Sequence, residues 1–231
     1  MKKTFSRTFA VLLVLLCAQL SFAQDKPATK YVPEEAFGPL FYTQNGNEYR
    51  SASGAPGPKY WQNRVDYNIS ASLDEATSRV KATITITYKN NSPEKLPYLW
   101  LQLDQNSFDE KSRGSAVIPG YSRFGSKGEK FKGGYEISNV SVSQKAKPVK
   151  FTSLVEDTRM QIRLDQPMAA SGDVVVIKMD YSYIIPVLGS DRTGHLKTKN
   201  GEIFAIAQWF PRMCVYDDVL GWNTLPYWGA G

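Results

Sequence analysis

The sequence predicts an all-β protein of antiparallel strands, arranged as a saddle-like sandwich or as curved sheets. Apolar and polar residues alternate along several short segments, which is the pattern of strands with one buried and one solvent-facing side. Turn-forming stretches such as NNSPEK at 90–95 separate these segments. No amphipathic helix is evident after residue 23, and half-buried strands without helices are typical of antiparallel sheets.

The alternation predicts the strands in chain order. It is most regular at 80–89 (VKATITITYK), and the segment EIFAIAQW at 202–209 is expected to be the final apolar strand. Two interruptions, 105–134 and 185–201, are expected to be long loops. The residues expected to face the core are Val65, Tyr67, Ile69, Ala71 and Leu73; Val80, Ala82, Ile84, Ile86 and Tyr88; Leu99, Leu101 and Leu103; Met160, Ile162 and Leu164; and Val175, Ile177, Met179, Tyr181 and Tyr183.

The amino-terminal region predicts export. Residues 1–23 combine a basic start, an apolar stretch and small residues before a cleavage point near Ala23, as in a secretory signal peptide. The apolar stretch is shorter than the roughly 20 residues of a transmembrane anchor. A lipoprotein anchored at Cys17 is an alternative, disfavoured because Leu16 is not the small residue that lipidation requires. We therefore expect a periplasmic or secreted protein, with a Pro/Gly-rich leader at 24–60 and a β-domain at 61–231.

Charge and cysteine content narrow the choice of partners. Of 28 basic and 22 acidic residues, three basic ones lie in the signal peptide, which leaves 25 against 22 and a net charge of +3. With no basic stripe, nucleic acid is not an expected partner. Cys214 is the one cysteine outside the signal peptide. We expect it to be buried among its aromatic neighbours.

Catalytic chemistry is sparse in this sequence. A catalytic zinc site generally takes three protein ligands, and the chain has one histidine, His195, so we expect no metal bound by this chain. No G-x-S-x-G motif accompanies His195. A Cys214–His195 dyad is disfavoured, because an apolar setting raises a thiol pKa. His195 itself is expected to be a solvated loop residue.

Aromatic residues crowd the carboxyl-terminal part of the sequence. Aromatic rings supply large buried areas, and their polar tips need partners. The crowd fits either a packed corner of a sheet or a wall facing a substrate or second domain. Its members are Phe204, Trp209, Phe210, Tyr216, Trp222, Tyr227 and Trp228.

The runs AIAQWFPRMCVYDD at 205–218 and GWNTLPY at 221–227 resemble the amino-terminal domain of aminopeptidase N-like zinc metallopeptidases, the gluzincin aminopeptidases. The resemblance covers most of residues 60–231. It implies a saddle-shaped β-domain beside a thermolysin-like zinc domain that carries H-E-x-x-H. It also implies removal of amino-terminal residues from peptide substrates, with zinc as the cofactor of the complete enzyme.

The resemblance places Gln208 at the position of a family glutamine near the first substrate residue. An amide can both donate and accept there. We expect Trp209, Phe210, Cys214, Trp222 and Trp228 to serve packing or a domain interface. Asp217 and Asp218 are expected to be loop or interface carboxylates.

The sequence also departs from the family. The Gly-x-Met-Glu-Asn motif and the zinc domain are missing from it, so we expect a truncated chain that lacks its catalytic partner domain and is inactive alone. One alternative is a free-standing β-sandwich binding or adhesion module with an aromatic ligand platform. A purely structural domain, with the aromatic residues in its core, is another.

Overall fold

The computed structural model describes residues 46–117, 133–187 and 193–226. The chain divides into two compact units between Lys59 and Tyr60. The predicted signal peptide at 1–23, most of the leader, and Trp228 lie outside the described residues. Within them, no helix has the length and apolar character needed to span a bilayer.

The predicted all-β, antiparallel class is confirmed. The described helices are one 3-10 helix, Asp104–Phe108, and the short α1, Arg113–Val117. The strands are β1 (Arg64–Asp74), β2 (Arg79–Asn90), β3 (Leu96–Gln102), β4 (Glu136–Gln144), β5 (Lys147–Pro148), β6 (Phe151–Glu156), β7 (Arg159–Met168), β8 (Asp173–Ile184), β9 (Thr193–Thr198), β10 (Gly201–Ile206), β11 (Arg212–Met213), β12 (Tyr216–Asp217) and β13 (Gly221–Trp222).

A five-stranded sheet with the order β1-β2-β8-β4-β5 forms one layer. β2 lies between β1 and β8, and its burial alternates residue by residue as the sequence predicts. Each inward side chain of β2 therefore meets a partner on β8, for example Ile86 opposite Ile177. Both of these isoleucines are fully buried.

A four-stranded sheet with the order β11-β3-β7-β6 supplies the second apolar face. Leu99 and Leu101 of β3 lie opposite Ile162 and Met160 of β7, and all four are buried. The buried residues of the two sheets form one hydrophobic core. The domain is thus a two-layer arrangement of the kind that alternating strands favour.

Three sequence-based expectations about strands need correction. The segment 202–209 is not the final strand, because β10 ends at Ile206 and β11, β12 and β13 follow it. On β1, Leu73 is 40% exposed and Ala71 is also exposed, because β1 is the edge strand of its sheet. The expected loop at 185–201 contains β9, which pairs with β10 from Gly201↔Thr198 to Ile206↔Thr193. Gly201, at φ +126°, supplies the backbone conformation needed at the start of β10.

The expected loop at 105–134 begins with the 3-10 helix and α1. Its residues 118–132 lie outside the described part of the chain.

The unit before Tyr60 is described from residue 46. The side chain of Asn47 accepts hydrogen bonds from the backbone N–H groups of Tyr49 and Arg50, each at 2.8 Å, and Arg50 forms a bridge with Pro56. A Cβ atom at Gly57 would lie 2.5 Å from the Glu48 carbonyl oxygen, so this crossing requires glycine. The described end of the predicted leader is therefore folded back on itself.

Candidate functional site

The candidate site is the segment 207–214, which joins β10 to the second layer through β11. We call residues 207–214 the site segment. Gln208 lies there at φ +49°, in the left-handed region. This conformation is unfavourable for residues with a Cβ atom. A non-glycine residue held in it is a feature that functional sites often show.

Three polar residues from elsewhere in the fold hold the backbone of the site segment: Gln105 and Thr193 are buried, and Tyr135 is partly buried. Gln105 Nε2 donates to the carbonyl oxygens of Ala207 at 2.8 Å and Gln208 at 3.2 Å. The Tyr135 hydroxyl donates to the same Gln208 oxygen at 3.1 Å. Thr193 Oγ1 donates to the Ala207 oxygen at 3.2 Å. The left-handed turn is therefore fixed by side chains distant in sequence.

The side-chain amide of Gln208 is in a different situation. Gln208 is half-buried, and no described residue forms a hydrogen bond with its amide group. The amide therefore keeps its donors and its acceptor for another partner.

Aromatic contacts fix the middle of the site segment. The Phe210 ring meets the rings of Tyr67 and Trp209 edge to face, each with a centroid distance of 5.2 Å. The Met213 N–H donates to the Tyr67 hydroxyl at 2.8 Å, and burial raises the pKa of Tyr67. Trp209 and Phe210 are partly buried against the hydrophobic core.

An ion pair anchors the end of the site segment. Arg212 donates through Nε to Asp104 Oδ2 at 2.8 Å and through Nη2 to Oδ1 at 3.2 Å. The Asp104 side chain is 1% exposed and that of Arg212 is 48% exposed. The hydrogen bonds to Asp104 raise the pKa of Arg212, so the guanidinium group stays charged.

Cys214 is a buried free thiol. Burial raises its pKa to about 11, although the nearby Arg212 charge acts in the opposite direction. Its N–H donates to the Trp100 carbonyl oxygen at 2.8 Å. A thiol with a raised pKa is a poor nucleophile at neutral pH.

The hairpin β12–β13 follows the site segment. Trp222 pairs with Tyr216 across the hairpin and stacks on Tyr88 with a centroid distance of 6.0 Å. Asp217 Oδ1 accepts hydrogen bonds from the N–H groups of Val219 and Leu220, at 2.9 and 2.8 Å, so this carboxylate shapes the turn. Four aliphatic side chains here are more than 60% exposed: Val215, Val219, Leu220 and Leu225.

His195 is not the solvated loop residue that the sequence predicts. It lies on β9, stacks on Phe204 and is 12% exposed, and its Nδ1 is hydrogen-bonded to Glu202 across the hairpin.

No group of three or more His, Cys, Asp or Glu side chains among the described residues is placed to hold a metal ion.

A polar depression of about 620 Å³ lies on the outward face of the five-stranded sheet. Its two carboxylates are engaged within the sheet. Glu136 accepts hydrogen bonds from Arg79 and Ser182, and Asp180 accepts from Thr83 and Asn139. These contacts favour a structural role for the depression over a binding role.

Comparison with protein-family models gives no match, and comparison with curated proteins gives none either.

The residues that sequence reasoning missed are Asp104, Gln105, Tyr135 and Thr193. None belongs to a recognisable motif. The available signal was local: in LQLDQ at 101–105, polar residues stand where the strand alternation breaks down, and Gln102, Asp104 and Gln105 all proved to be buried. Buried polar side chains need partners, and here Asp104 and Gln105 have theirs in the site segment.

Proposed function

We propose that this β-domain is the substrate-side part of an exported zinc metallopeptidase of the aminopeptidase type. The observation that carries the proposal is Gln208, whose backbone is held by hydrogen bonds from side chains distant in sequence while its amide has no hydrogen-bonding partner among the described residues. In this proposal zinc is held by a separate catalytic domain, and the β-domain contributes binding only.

The chemistry of an amide suits this role. An enzyme that removes amino-terminal residues must recognise a free α-ammonium group, which carries three donors and no acceptor. The Gln208 Oε1 atom can accept one of them, and hydrogen bonds to charged groups are the stronger ones. Because Gln208 is only half-buried, its amide can be reached by a ligand.

The exposed aliphatic residues of the β12–β13 region also support the proposal. Val215, Val219, Leu220 and Leu225 lie directly after the site segment and are largely exposed. Exposed apolar surface of this kind is typical of interaction sites. In this proposal the catalytic domain docks on this apolar surface.

The alternative of a free-standing binding module has a weaker basis. Its ligand platform would consist of the aromatic residues, yet Trp209, Phe210 and Trp222 pack against the core. Metal-independent binding of peptides or glycans by the isolated chain, lost on changing Trp222 to alanine, would favour it.

The test uses the full-length gene product, which this proposal requires to carry an H-E-x-x-H zinc domain beside the β-domain; a product without one would contradict the proposal. Gln208→Ala is expected to raise the KM for an aminoacyl p-nitroanilide about tenfold or more, the range for a hydrogen bond to a charged group. Gln166→Ala is the matched control, because Gln166 is an exposed glutamine of β7. Equal kcat/KM values for the wild type and Gln208→Ala would contradict the proposal.

A further inference from the structure

We propose that Gln105 and Tyr135 are positioning residues, which hold the Gln208 backbone in its left-handed conformation and so direct its side-chain amide toward the substrate. This inference rests on the proposed function, because it assigns a purpose to the conformation of the residue named there. Its structural half, that these two side chains determine the backbone conformation at Gln208, can be tested on this chain alone.

Gln105 acts as a clamp on two successive peptide groups. Its Nε2 group donates to both the Ala207 and Gln208 carbonyl oxygens, and the residue is 2% exposed. Two successive carbonyls that share one donor group are held in a fixed relative orientation. The peptide geometry on either side of the Gln208 Cα atom is therefore constrained directly.

Backbone hydrogen bonds hold the part of the chain that carries Gln105. Gln105 lies in the 3-10 helix Asp104–Phe108, where the Asn106 N–H donates to the Leu103 carbonyl oxygen at 3.0 Å and the Leu103 N–H donates to the Thr158 carbonyl oxygen at 2.7 Å. Its neighbour Asp104 is paired with Arg212 of the same site segment. The helix and the site segment are thus joined at two points, on both sides of Trp209 and Phe210.

Tyr135 approaches the same carbonyl oxygen from β4's side of the domain. Its ring contacts the rings of Tyr181 and Tyr183 nearly at right angles, with centroid distances of 5.5 and 5.3 Å. Its backbone N–H donates to Asn106 Oδ1 at 2.8 Å, which links it to the 3-10 helix. Burial raises the pKa of Tyr135 well above its usual value, so its hydroxyl remains a donor at all physiological pH values.

The cluster contains polar atoms that stability alone does not explain. Gln105 Oε1 and the hydroxyl groups of Tyr181 and Tyr183 are buried and have no hydrogen-bonding partner among the described residues. Burying a polar atom without a partner is unfavourable. The two hydrogen bonds that the Gln105 amide nitrogen donates explain why a glutamine is buried at this position. Both bonds are to carbonyl oxygens of the site segment.

The energetic balance makes the Gln208 conformation sensitive to each bond. The left-handed region is unfavourable for a residue with a Cβ atom, by an amount comparable to the net contribution of one or two hydrogen bonds. Removing the Tyr135 hydroxyl therefore makes other conformations of Gln208 accessible. Only a fraction of the molecules then has the conformation that binds substrate. The apparent affinity for substrate falls in proportion to that fraction.

The test compares two isosteric changes in the same buried cluster. Tyr135→Phe removes the hydroxyl that donates to Gln208, whereas the control Tyr183→Phe removes a hydroxyl with no described partner. In this chain, labelled with ¹⁵N, the three-bond HN–Hα coupling of Gln208 reports its φ angle when it is read together with the intraresidue HN–Hα nuclear Overhauser effect, which is strongest at positive φ. Tyr135→Phe is expected to shift this coupling and Tyr183→Phe to leave it unchanged. Gln105→Met removes the two hydrogen bonds that Gln105 donates to the site segment. We expect this second variant to shift the coupling in the same way.

The functional readout uses the protein that also contains the zinc domain. Tyr135→Phe is expected to raise KM about three- to tenfold with little change in kcat, and to add nothing further in a Gln208→Ala background. If Gln208→Ala raises KM but Tyr135→Phe changes neither the coupling nor KM, the inference is overturned and the proposed function stands. Full additivity of the two KM effects would also overturn it. If Gln208→Ala leaves KM unchanged, the proposed function fails. The positioning role of Gln105 and Tyr135 in substrate binding then fails as well, whether or not the coupling shifts.

Discussion

The central strands β2 and β8 and the site segment 207–214 are ordered by different forces. In β2 and β8, alternate side chains enter the core, and every residue of β2 has a partner on β8. The site segment has two residues in a regular strand, Arg212 and Met213. Much of its remaining order comes from distant side chains. Gln105, Tyr135 and Thr193 bond its carbonyl oxygens, Asp104 bonds Arg212, and Tyr67 contacts Phe210 and the Met213 N–H.

This difference separates stability from conformation. Burial of apolar area is non-directional and supplies most of the stability of a domain. Hydrogen bonds from buried side chains contribute less net free energy but specify a geometry. We therefore expect changes in β2 and β8 to affect mainly unfolding, and changes around the site segment to affect mainly the shape of the site.

The largest effect is expected in the central strands. Ile84→Ala in β2 should lower the free energy of unfolding by about 3–4 kcal/mol, because Ile84 is fully buried and a cavity would remain. Urea denaturation followed by tryptophan fluorescence measures the loss. Thr85→Ala, on the opposite face of the same strand, should cost less than about 1 kcal/mol. Similar losses for both variants would show that the two faces are not distinct.

The next effect concerns the reactivity of Cys214 at the end of the site segment. Because burial raises its pKa to about 11 from 9.0, its thiolate fraction at pH 8 is about 100-fold lower than that of an ordinary thiol. Alkylation by iodoacetamide, followed by mass spectrometry of the Cys214 peptide, should be slower by at least this factor than in an exposed Ser72→Cys variant.

The pH dependence of this thiol has a defined sign. The folded state holds the thiol proton more tightly than the unfolded chain, so the stability from Cys214 is complete below pH 9 and falls as the pH rises toward 11. The alkylation rate should rise about tenfold for each pH unit up to about 11. A rate that is already maximal at pH 8 would exclude the buried, protonated thiol.

The same contrast explains how much the sequence could predict. The core faces of β2, β3, β7 and β8 follow from period-two alternation, and the residues expected there are buried. The alternation is a pattern of neighbouring residues, so it can be recognised in the sequence alone. Because it indicates strands, it also predicts the all-β class of the fold. The sequence of β9, TGHLKT, contains a glycine and shows no regular alternation, so it does not predict this strand; its order comes from pairing with β10.

The site was less accessible to prediction. Gln208 was singled out by its resemblance to a family position, a role that stays a prediction. Its left-handed conformation depends on Gln105 and Tyr135, which lie about 100 and 70 residues away along the chain. No local pattern encodes a contact over such a separation. Trp209, Phe210 and Trp222 lie among core-packed residues, while their part in any domain interface stays a prediction too.

A smaller effect tests the ion pair at the end of the site segment. Asp104→Ala should lower the free energy of unfolding by about 2 kcal/mol, since it removes two hydrogen bonds to a charged group. The loss is limited because Arg212 is half exposed and can be solvated. Denaturation in urea measures it. Asp66→Ala, which removes an exposed pair with Arg64, should leave the midpoint close to that of the wild type. If the two variants were equally stable, Asp104 would not be an anchor.

The smallest effect comes from Gln208 itself, and it is the most specific test of the comparison. Glycine adopts φ +49° without strain but has more freedom in the unfolded chain, so Gln208→Gly should change the free energy of unfolding by less than about 1 kcal/mol. Gln208→Val places a β-branched residue in the left-handed region and should cost about 1–2 kcal/mol. At a position in β2 the preference would be reversed, and valine would be more stable than glycine. If valine were tolerated at 208 better than glycine, the site segment would be extended like its flanking strands, and the distinction drawn between the two regions would fail.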